Sequence, residues 1–357
     1  MRTLGIDPGT ITIDVCGLDE GEVFLDRAVP TEEVGEDPRA FVDLLAGARA
    51  ELIAGPSGYG VPLTSIEHSS DETLRLAFLA RSGEGGGIMG MRALVRALAD
   101  AKLPVVLTPG VVHLQSVPAH RKVNRVDMGT ADKLCAVALG VHRQTLRRGC
   151  APSEVSFILL ELGGAFTAAI AVSEGRVVDG IGGTSGPIGA RSAGALDGEV
   201  AFLAGEISKS LLFHGGITSI LRDSTDIWQR LDDPDDDLAR MARGAFMEGA
   251  EKAVAALTVS VPRPHEILLS GRAARVASIE RELTNRLTRY APVRLLEGSA
   301  RVAKQAAEGA ALVANGLAGG SCAELVATLG IREACGGVLD HLYVIDPEHA
   351  RARLGLE

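Results

Sequence analysis

The stretch LGIDPGTITIDVCGLDEGEVF, residues 4–24, has two apolar runs joined by polar and glycine residues, which is the pattern of a β-hairpin. Its first run ends on Asp7, and Pro-Gly-Thr follows at once. Residues 160–178, LELGGAFTAAIAVSEGRVV, repeat this pattern about 150 positions later, with Glu161 at the equivalent place. A hairpin that only builds a core has no need of an acidic residue and a glycine at this point. The repeat therefore predicts a duplicated unit with a function at the ends of its first strands.

Each copy of the hairpin is followed by alternating helical and strand patterns, which predicts an α/β fold. A chain of 357 residues is long enough for two domains. We therefore expect two related α/β domains at residues 1–150 and 151–318, with a ligand in the cleft between them. Residues 319–357 are predicted to form a helical tail that packs back on the N-terminal domain.

Composition and charge argue against several functional classes. Lys and Arg number 36 against 46 Asp and Glu, and this net charge of −10 argues against a nucleic-acid-binding protein. The five cysteines are scattered without a CxxC pair, so we expect no zinc site and a reduced, cytoplasmic protein. No apolar run is long enough for a membrane helix, and the N-terminus leads into a strand without a signal peptide.

The glycines after the two acidic residues indicate how the hairpins bind a ligand. Phosphate groups bind where successive backbone N–H groups point into a concavity, which requires tight turns. Such turns are offered by Gly9-Thr10 and by Gly163-Gly164. The carboxylates of Asp7 and Glu161 would repel a bare phosphate, but Mg²⁺ binds carboxylates and phosphates together. The sequence therefore predicts two hairpins that face the phosphates of Mg-ATP; the alternative is a hairpin duplicated for structural reasons.

A serine–glycine motif and a glycine loop extend the predicted site. The run ILLSGRAAR places Ser270-Gly271 and Arg272 at the end of a buried strand, where small residues allow a flat adenosine to approach the backbone. Residues 82–90, SGEGGGIMG, form a glycine loop ahead of a helix. Because a helix N-terminus attracts anions, this loop is a candidate for binding the acceptor's negative group. A surface loop without a ligand is the alternative.

The motifs IDPGT, ELGGAFTA, LSGRAAR and EGAALVA, in this order over residues 3–318, resemble those of the ATP-binding superfamily of acetate kinase, sugar kinases, Hsp70 and actin. The resemblance implies two ribonuclease-H-like domains of the actin-like ATPase fold, with ATP and Mg²⁺ in the cleft. It implies that Asp7 and Glu161 organise the metal. It implies contacts to the nucleotide from Asp7, Gly9, Thr10, Gly163, Gly164, Ser270, Gly271 and Arg272. The second motif usually begins with Asp, so the longer Glu161 is a departure.

Two further stretches resemble the acyl-phosphate branch of this superfamily. GPIGARSAGALDGEV, residues 186–200, resembles the acetate-kinase segment that carries a catalytic arginine, which implies that role for Arg191. NRVDMGTADK, residues 124–133, loosely resembles a second segment, which implies a role for Arg125 and places Asp132 where acetate kinases have histidine. As a whole, the chain resembles most a group of butyrate-kinase-like proteins, DUF1464, whose substrate is not known.

The expected reaction is transfer of the γ-phosphoryl group of ATP to a small-molecule acceptor with a carboxylate. Charge develops on the phosphoryl oxygens during transfer, and the planar forks of Arg191 and Arg125 suit such groups. A carboxylate acceptor needs no general base, whereas a hydroxyl acceptor needs one, for which Asp127 and Asp132 are candidates. A hydroxyl-directed kinase and an ATP-dependent switch or activase stay open as alternatives. The sequence leaves a homodimer open, and we expect neither nucleic acid nor membrane as a partner.

Overall fold

The N-terminal half begins with a sheet in the computed structural model, which describes residues 1–9, 11–55, 58–81, 87–223 and 225–356. Thr10 and residues 82–86 of the predicted glycine loop lie outside this range. The sheet contains β1 (Arg2–Pro8), β2 (Thr12–Asp19), β3 (Glu22–Pro30), β4 (Leu52–Gly55), β5 (Thr64–Ser65) and β6 (Val105–Leu107). Their order is β3-β2-β1-β4-β6-β5. The pairs β1–β2, β2–β3 and β5–β6 are antiparallel, whereas β1–β4 and β4–β6 are parallel.

A second sheet lies in the C-terminal half. It contains β7 (Phe157–Leu162), β8 (Thr167–Ser173), β9 (Arg176–Ile181), β10 (Glu266–Ser270) and β11 (Val293–Leu295). Their order is β11-β10-β7-β8-β9, with β7, β8 and β9 antiparallel and β7, β10 and β11 parallel. Both sheets thus contain three antiparallel strands followed by two parallel ones, and the first sheet adds the antiparallel strand β5 at its edge. This shared order confirms the prediction of two related α/β units.

Helices cover the sheets. Those of the N-terminal half are α1 (Thr31–Glu36), α2 (Pro38–Gly47), α3 (Asp71–Phe78), α4 (Gly87–Asp100), α5 (Ala119–Lys122) and α6 (Ala131–Arg148). Those that follow are α7 (Gly198–Ala204), α8 (Ile217–Leu221), α9 (Ile227–Arg230), α10 (Asp237–Leu257), α11 (Ala277–Leu287), α12 (Gln305–Leu317), α13 (Ala323–Leu329) and α14 (Pro347–Arg353). No helix in the described ranges has both the length and the apolar composition that crossing a membrane requires.

The boundaries of α2 follow from local chemistry. Its proline start agrees with the sequence, because Pro38 needs no hydrogen-bond partner for a backbone N–H and the Asp37 side chain accepts the N–H groups of the next two residues. The apolar residues keep a helical spacing from Pro38 to residue 54, but the helix ends at Gly47. The apolar residues after it, Leu52–Gly55, instead form the buried strand β4.

The two hairpins agree in register at their tips. The backbone N–H of Gly9 donates to the carbonyl of Thr12 over 2.9 Å, and the N–H of Gly163 donates to the carbonyl of Phe166 over 2.9 Å. The last paired residues, Pro8 with Ile13 and Leu162 with Thr167, also lie at equivalent positions. The identical closure confirms that the repeated sequence encodes a repeated hairpin.

The agreement continues to the far ends of the same strands. A register shift lies between Gly17 and Leu18 in the first copy and between Ala171 and Val172, the equivalent positions, in the second. The next turn places a glutamate at positive φ in each copy, 50° and 52°, and a glycine at 90° and 71° follows it. Two consecutive residues with positive φ define the hairpin turn that follows the twist of the strands. Bulge and turn are therefore duplicated together.

The last helix of each half packs on the sheet of the other half. Helix α6 packs on the second sheet, where Gly140 lies against the side chains of Phe157 and Leu268. Helix α12 packs on the first sheet, and a Cβ added to Gly5 would lie 2.0 Å from the carbonyl oxygen of Ala307. The helices α6 and α12 also touch each other, so one continuous apolar core joins the two sheets. The division at residues 150 and 318 stays a prediction, and each half also has an apolar core of its own beside this shared one.

The tail contacts both halves. Helix α13 packs through Leu325 and Leu329 into the core between the sheets. Further along, Val338 and Leu339 pack on Val112. Helix α14 is held at the N-terminal half by ion pairing of Arg351 with Glu72, and the carbonyl of Gly355 accepts a hydrogen bond of 2.9 Å from Arg75. The C-terminal end of the tail thus lies against the N-terminal half; its limits as a separate unit stay a prediction.

Candidate active site

A cleft of about 570 Å³ opens between the two halves of the molecule. Its walls include the tips of both repeated hairpins, the first turn of α6 and the loop after β10. Strands β7 and β10 are parallel neighbours, and the register pairs Glu161 with Ser270 at their carboxyl ends. Ligands of α/β proteins usually bind at such strand ends. The cleft is therefore the candidate site, as the sequence predicts.

The first hairpin brings two carboxylates and an ammonium group together. Asp7 and Asp14 are 6% and 1% exposed. The Nζ atom of Lys304, in the segment before α12, lies 2.5 Å from Asp14 and 3.7 Å from Asp7. Burial raises the pKa of Asp7 to about 7, although Lys304 opposes the shift. A buried carboxylate that is costly to ionise and lines a cleft has the chemistry of a cation ligand.

The tip of the second hairpin presents backbone to the cleft. A Cβ added to Gly163 would lie 2.9 Å from the carbonyl oxygen of Phe166, so this position favours glycine. A Cβ added to Gly164 would meet nothing within 4 Å, because this residue faces open space in the cleft. Glu161, at the end of β7, is half-buried and lines the same wall. The hairpin therefore leaves room for a ligand at its tip.

The first turn of α6 adds a charged pair. Asp132 accepts hydrogen bonds from the Thr130 hydroxyl, over 2.5 Å, and from the Lys133 ammonium. Burial alone would raise the pKa of Asp132, but the ammonium of Lys133 and the hydrogen bonds lower it below its usual range. Burial alone would lower the pKa of Lys133, but the carboxylates of Asp132, Glu161 and Asp7 raise it. Both residues are charged, and both line the cleft.

The serine–glycine motif also lines the cleft. Ser270 is buried, and its hydroxyl has no hydrogen-bond partner in the described part of the protein. Gly271 has φ of +90°, and a Cβ there would lie 2.3 Å from the carbonyl oxygen of Leu162. Arg272 donates a hydrogen bond of 3.3 Å to the Thr12 hydroxyl in the first hairpin. The unpartnered hydroxyl and the close approach of backbone fit a nucleoside bound at this wall.

The predicted catalytic arginine, Arg191, lies beside the cleft and is not among the described residues that line it. Its backbone N–H donates to the carbonyl of Ala165 over 3.0 Å, which fixes it next to the second hairpin. Its guanidinium lies 5.5 Å from the ring centre of Phe213, and that ring packs edge-on against Phe166. Both phenylalanines line the cleft. The exposed Arg191 thus stands at the rim, within reach of a ligand beside these rings.

Two other predicted catalytic residues are not brought to the cleft. The exposed Arg125 is not among the described residues that line it. Asp127 is 5% exposed and accepts hydrogen bonds from the N–H of Gly129 and from the N–H and hydroxyl of Thr184, at 2.9–3.2 Å. These bonds tie the start of α6 to the loop after β9. Asp127 therefore joins two segments of the fold, and its role as a base stays a prediction.

The predicted metal ligands both line the cleft. Among the residues that the structure describes, no three His, Cys, Asp or Glu side chains are grouped to hold a metal ion. Mg²⁺ commonly takes only one or two carboxylates and completes its shell with water and substrate phosphates. Asp7 and Glu161 supply this number, so the donor set fits a magnesium ion that arrives with a nucleotide.

The sequence analysis missed the two lysines of the cleft. Lys304 lies four positions before the start of the EGAALVA motif, and Lys133 directly follows Asp132 in GTADK. A lysine beside a motif carries no signal by itself, because most lysines are solvated surface residues. The burial of Lys133, whose side chain is 17% exposed, and the pairing of Lys304 with Asp14 appear only when the chain is folded.

Comparisons with known proteins show the family and the fold of the chain. The profile of a family described as a protein of unknown function (DUF1464) matches residues 5–344. No curated protein matches the chain. Crystal structures with a similar fold include a propionate kinase from Francisella tularensis, 13% identical with a TM-score of 0.61 over 86% of this chain and 98% of that one. Acetate kinases from Entamoeba histolytica (9%, TM-score 0.58, 81% and 86%) and Porphyromonas gingivalis (14%, TM-score 0.57, 81% and 88%) are further examples. These structures confirm the predicted actin-like ATPase fold.

Proposed function

The chain belongs to the DUF1464 family, and for this member we propose transfer of the γ-phosphoryl group of Mg-ATP to a small carboxylate. The observation that carries the proposal is the meeting of the two repeated hairpins, the serine–glycine motif and two lysines in one cleft. Acetate and propionate kinases, whose names state carboxylate substrates, share the fold.

The nucleotide side of the cleft supports ATP. The unpartnered hydroxyl of Ser270 and the small Gly271 suit the nucleoside, and the turns at Gly9 and Gly163 suit the phosphates. Asp7 and Glu161 would hold Mg²⁺, which neutralises phosphate charge when bound. Lys304 lies beside the tip of the first hairpin, because a Cβ on Gly9 would be 2.7 Å from its Nζ atom. Its ammonium is placed to attract a phosphate.

The acceptor side supports a carboxylate with an apolar body. Three phenylalanines, Phe78, Phe166 and Phe213, line the cleft. Arg191 stands over the ring of Phe213 and offers a planar cation to a carboxylate or a phosphoryl oxygen. An ionised carboxylate attacks phosphorus without losing a proton, so it requires no base. This agrees with the position of Asp127 away from the cleft lining.

The test is ATP consumption with Mg²⁺ across a panel of short carboxylic acids, with hydroxylamine to trap the acyl phosphate as a hydroxamate. We expect Arg191→Ala to lower the trapped product about 100-fold, as for loss of one charge-stabilising donor. Arg263→Ala removes an exposed arginine outside the cleft and is the matched control. Tight ATP binding without hydroxamate from any acid would contradict the carboxylate acceptor.

A hydroxyl acceptor is the second candidate, since Asp132 lines the cleft. Its lowered pKa and its bonds to Thr130 and Lys133 make it a weak base. We therefore favour the carboxylate. Asp132→Asn separates the two functions, because a hydroxyl kinase would lose turnover while keeping nucleotide binding. Slow ATP hydrolysis that no small molecule stimulates would instead favour the switch.

A further inference from the structure

The ammonium of Lys133 is placed among the groups that would surround a transferring phosphoryl group. Lys133 lies in the first turn of α6, a helix of 18 residues whose N-terminal end lines the cleft. The carboxylates of Asp7 and Glu161, one from each hairpin, both act on its charge. The helix N-terminus adds a partial positive charge on the same side. Lys133 therefore brings a positive charge to a cleft wall that also carries the carboxylates of Asp7 and Glu161.

Lys133 differs from Lys304 in how it is held. Lys304 contacts Asp14 at 2.5 Å, Asp7 at 3.7 Å and the carbonyl of Thr12 at 3.5 Å. In the described ranges Lys133 has one hydrogen-bond partner, the adjacent Asp132. Neighbouring residues on a helix do not normally face each other, so this pair does not brace two elements of the fold. A long side chain with one local partner can turn toward a ligand without breaking the packing of the cleft.

We propose that Lys133 is a catalytic residue of the transfer, with Asp132 holding its ammonium in the cleft until the phosphoryl group takes that place. The inference rests on the proposed function. In the step, the bond from phosphorus to the bridging oxygen of ADP breaks and a bond to the acceptor carboxylate oxygen forms. ADP keeps the electron pair, and no proton is transferred. The Lys133 ammonium stabilises the negative charge of the equatorial oxygens, and this charge is greatest in the transition state.

Binding of ADP and of ADP with aluminium fluoride, both with Mg²⁺, tests this role without turnover. The fluoride complex resembles the phosphoryl group in transit. We expect Lys133→Met to keep the ADP affinity within about threefold and to lose about 100-fold of the affinity for the fluoride complex. Lys133→Arg keeps the charge and should recover part of that loss. Lys252→Met, at an exposed lysine on α10, is the control and should match the wild type.

The outcomes separate this inference from the proposed function. A wild-type protein that binds no ADP, or that binds the fluoride complex no better than ADP, overturns the kinase and the role of Lys133 together. A wild-type protein that distinguishes the two ligands, with Lys133→Met equal to it, overturns the role of Lys133 alone. Equal weakening of both ligands in Lys133→Met, with a lowered melting temperature, also overturns it, because that pattern belongs to a structural charge.

Discussion

The two hairpins of the cleft have the same backbone and different surroundings. Both close with a 2.9 Å hydrogen bond at the tip, and both carry the same bulge and turn. The tip of the first lies against the Lys304 ammonium, whereas the tip of the second, at Gly164, faces open space. The two hairpins therefore share one backbone geometry. They differ in the side chains that distant segments of the chain place beside their tips. The first copy is the charged side of the cleft, and the second is the open side.

The largest expected effect concerns how the exchanged helices dock on the two sheets. A methyl group on Gly5 would meet backbone of α12 at 2.0 Å, whereas one on Gly140 would meet the Phe157 ring at 2.8 Å. Backbone cannot yield as a side chain can. We expect Gly5→Ala to lower the free energy of unfolding by at least about 3 kcal/mol and Gly140→Ala by about 1 kcal/mol.

Urea unfolding measures both changes, with Gly47→Ala as the control at an exposed helix end where the methyl group meets nothing within 4 Å. Equal losses of unfolding free energy in Gly5→Ala and Gly140→Ala would contradict the claim that α12 docks through its backbone and α6 against side chains.

Much of the difference between the surroundings of the two hairpins could not be predicted from the sequence. The hairpins, the serine–glycine motif and the alternating elements were predictable, because each is a local pattern of glycines and apolar residues. The ion pair of Asp14 with Lys304 was not predictable, because Lys304 is 290 positions away and approaches Asp14 only when α12 docks on the first sheet. The sequence also did not show that Asp127 and Arg125 lie away from the cleft lining, because a loosely matching segment does not show which way its side chains point. The exchange of α6 and α12 has no local signal either.

The buried Asp7 of the first hairpin predicts a pH-dependent cost in stability. Its pKa is raised from 3.8 to about 7 by burial, with Lys304 opposing and Asp132 and Asp14 adding to the rise. Between these two pH values the unfolded chain ionises and the folded one holds its proton, so wild-type stability falls as the pH rises. In EDTA, we expect Asp7→Asn to match the wild type near pH 4 and to exceed it by roughly 1–3 kcal/mol at pH 8.

Glu161→Gln, at the equivalent position of the second hairpin, is the variant for comparison. Urea unfolding at several pH values measures both. If the difference in stability between Asp7→Asn and the wild type stays constant from pH 4 to pH 8, burial does not raise the pKa of Asp7 in the first hairpin.

The smallest expected effect concerns the duplicated turns. Glu20 and Glu174 both have positive φ before a glycine, where Asn is favoured. We expect Glu174→Asn to raise the free energy of unfolding by about 0.5 kcal/mol. Glu20→Asn should gain less, because Glu20 also pairs with the N-terminal ammonium of Met1. Thermal melts of both variants compare the two gains in stability. A gain at Glu20 as large as the gain at Glu174 would show that this ion pair contributes nothing.

The central claim is that the open tip of the second hairpin holds the phosphates of Mg-ATP. Calorimetric titration of ATP, with and without Mg²⁺, tests it on the wild type and Gly164→Val, whose added side chain would enter the cleft. Gly244→Val, on an exposed face of α10 with nothing within 4 Å, is the control. We predict Mg²⁺-dependent binding of one ATP by the wild type and the control, and at least about tenfold weaker binding by Gly164→Val. Equal affinity of all three proteins, or no binding by the wild type, would contradict the account.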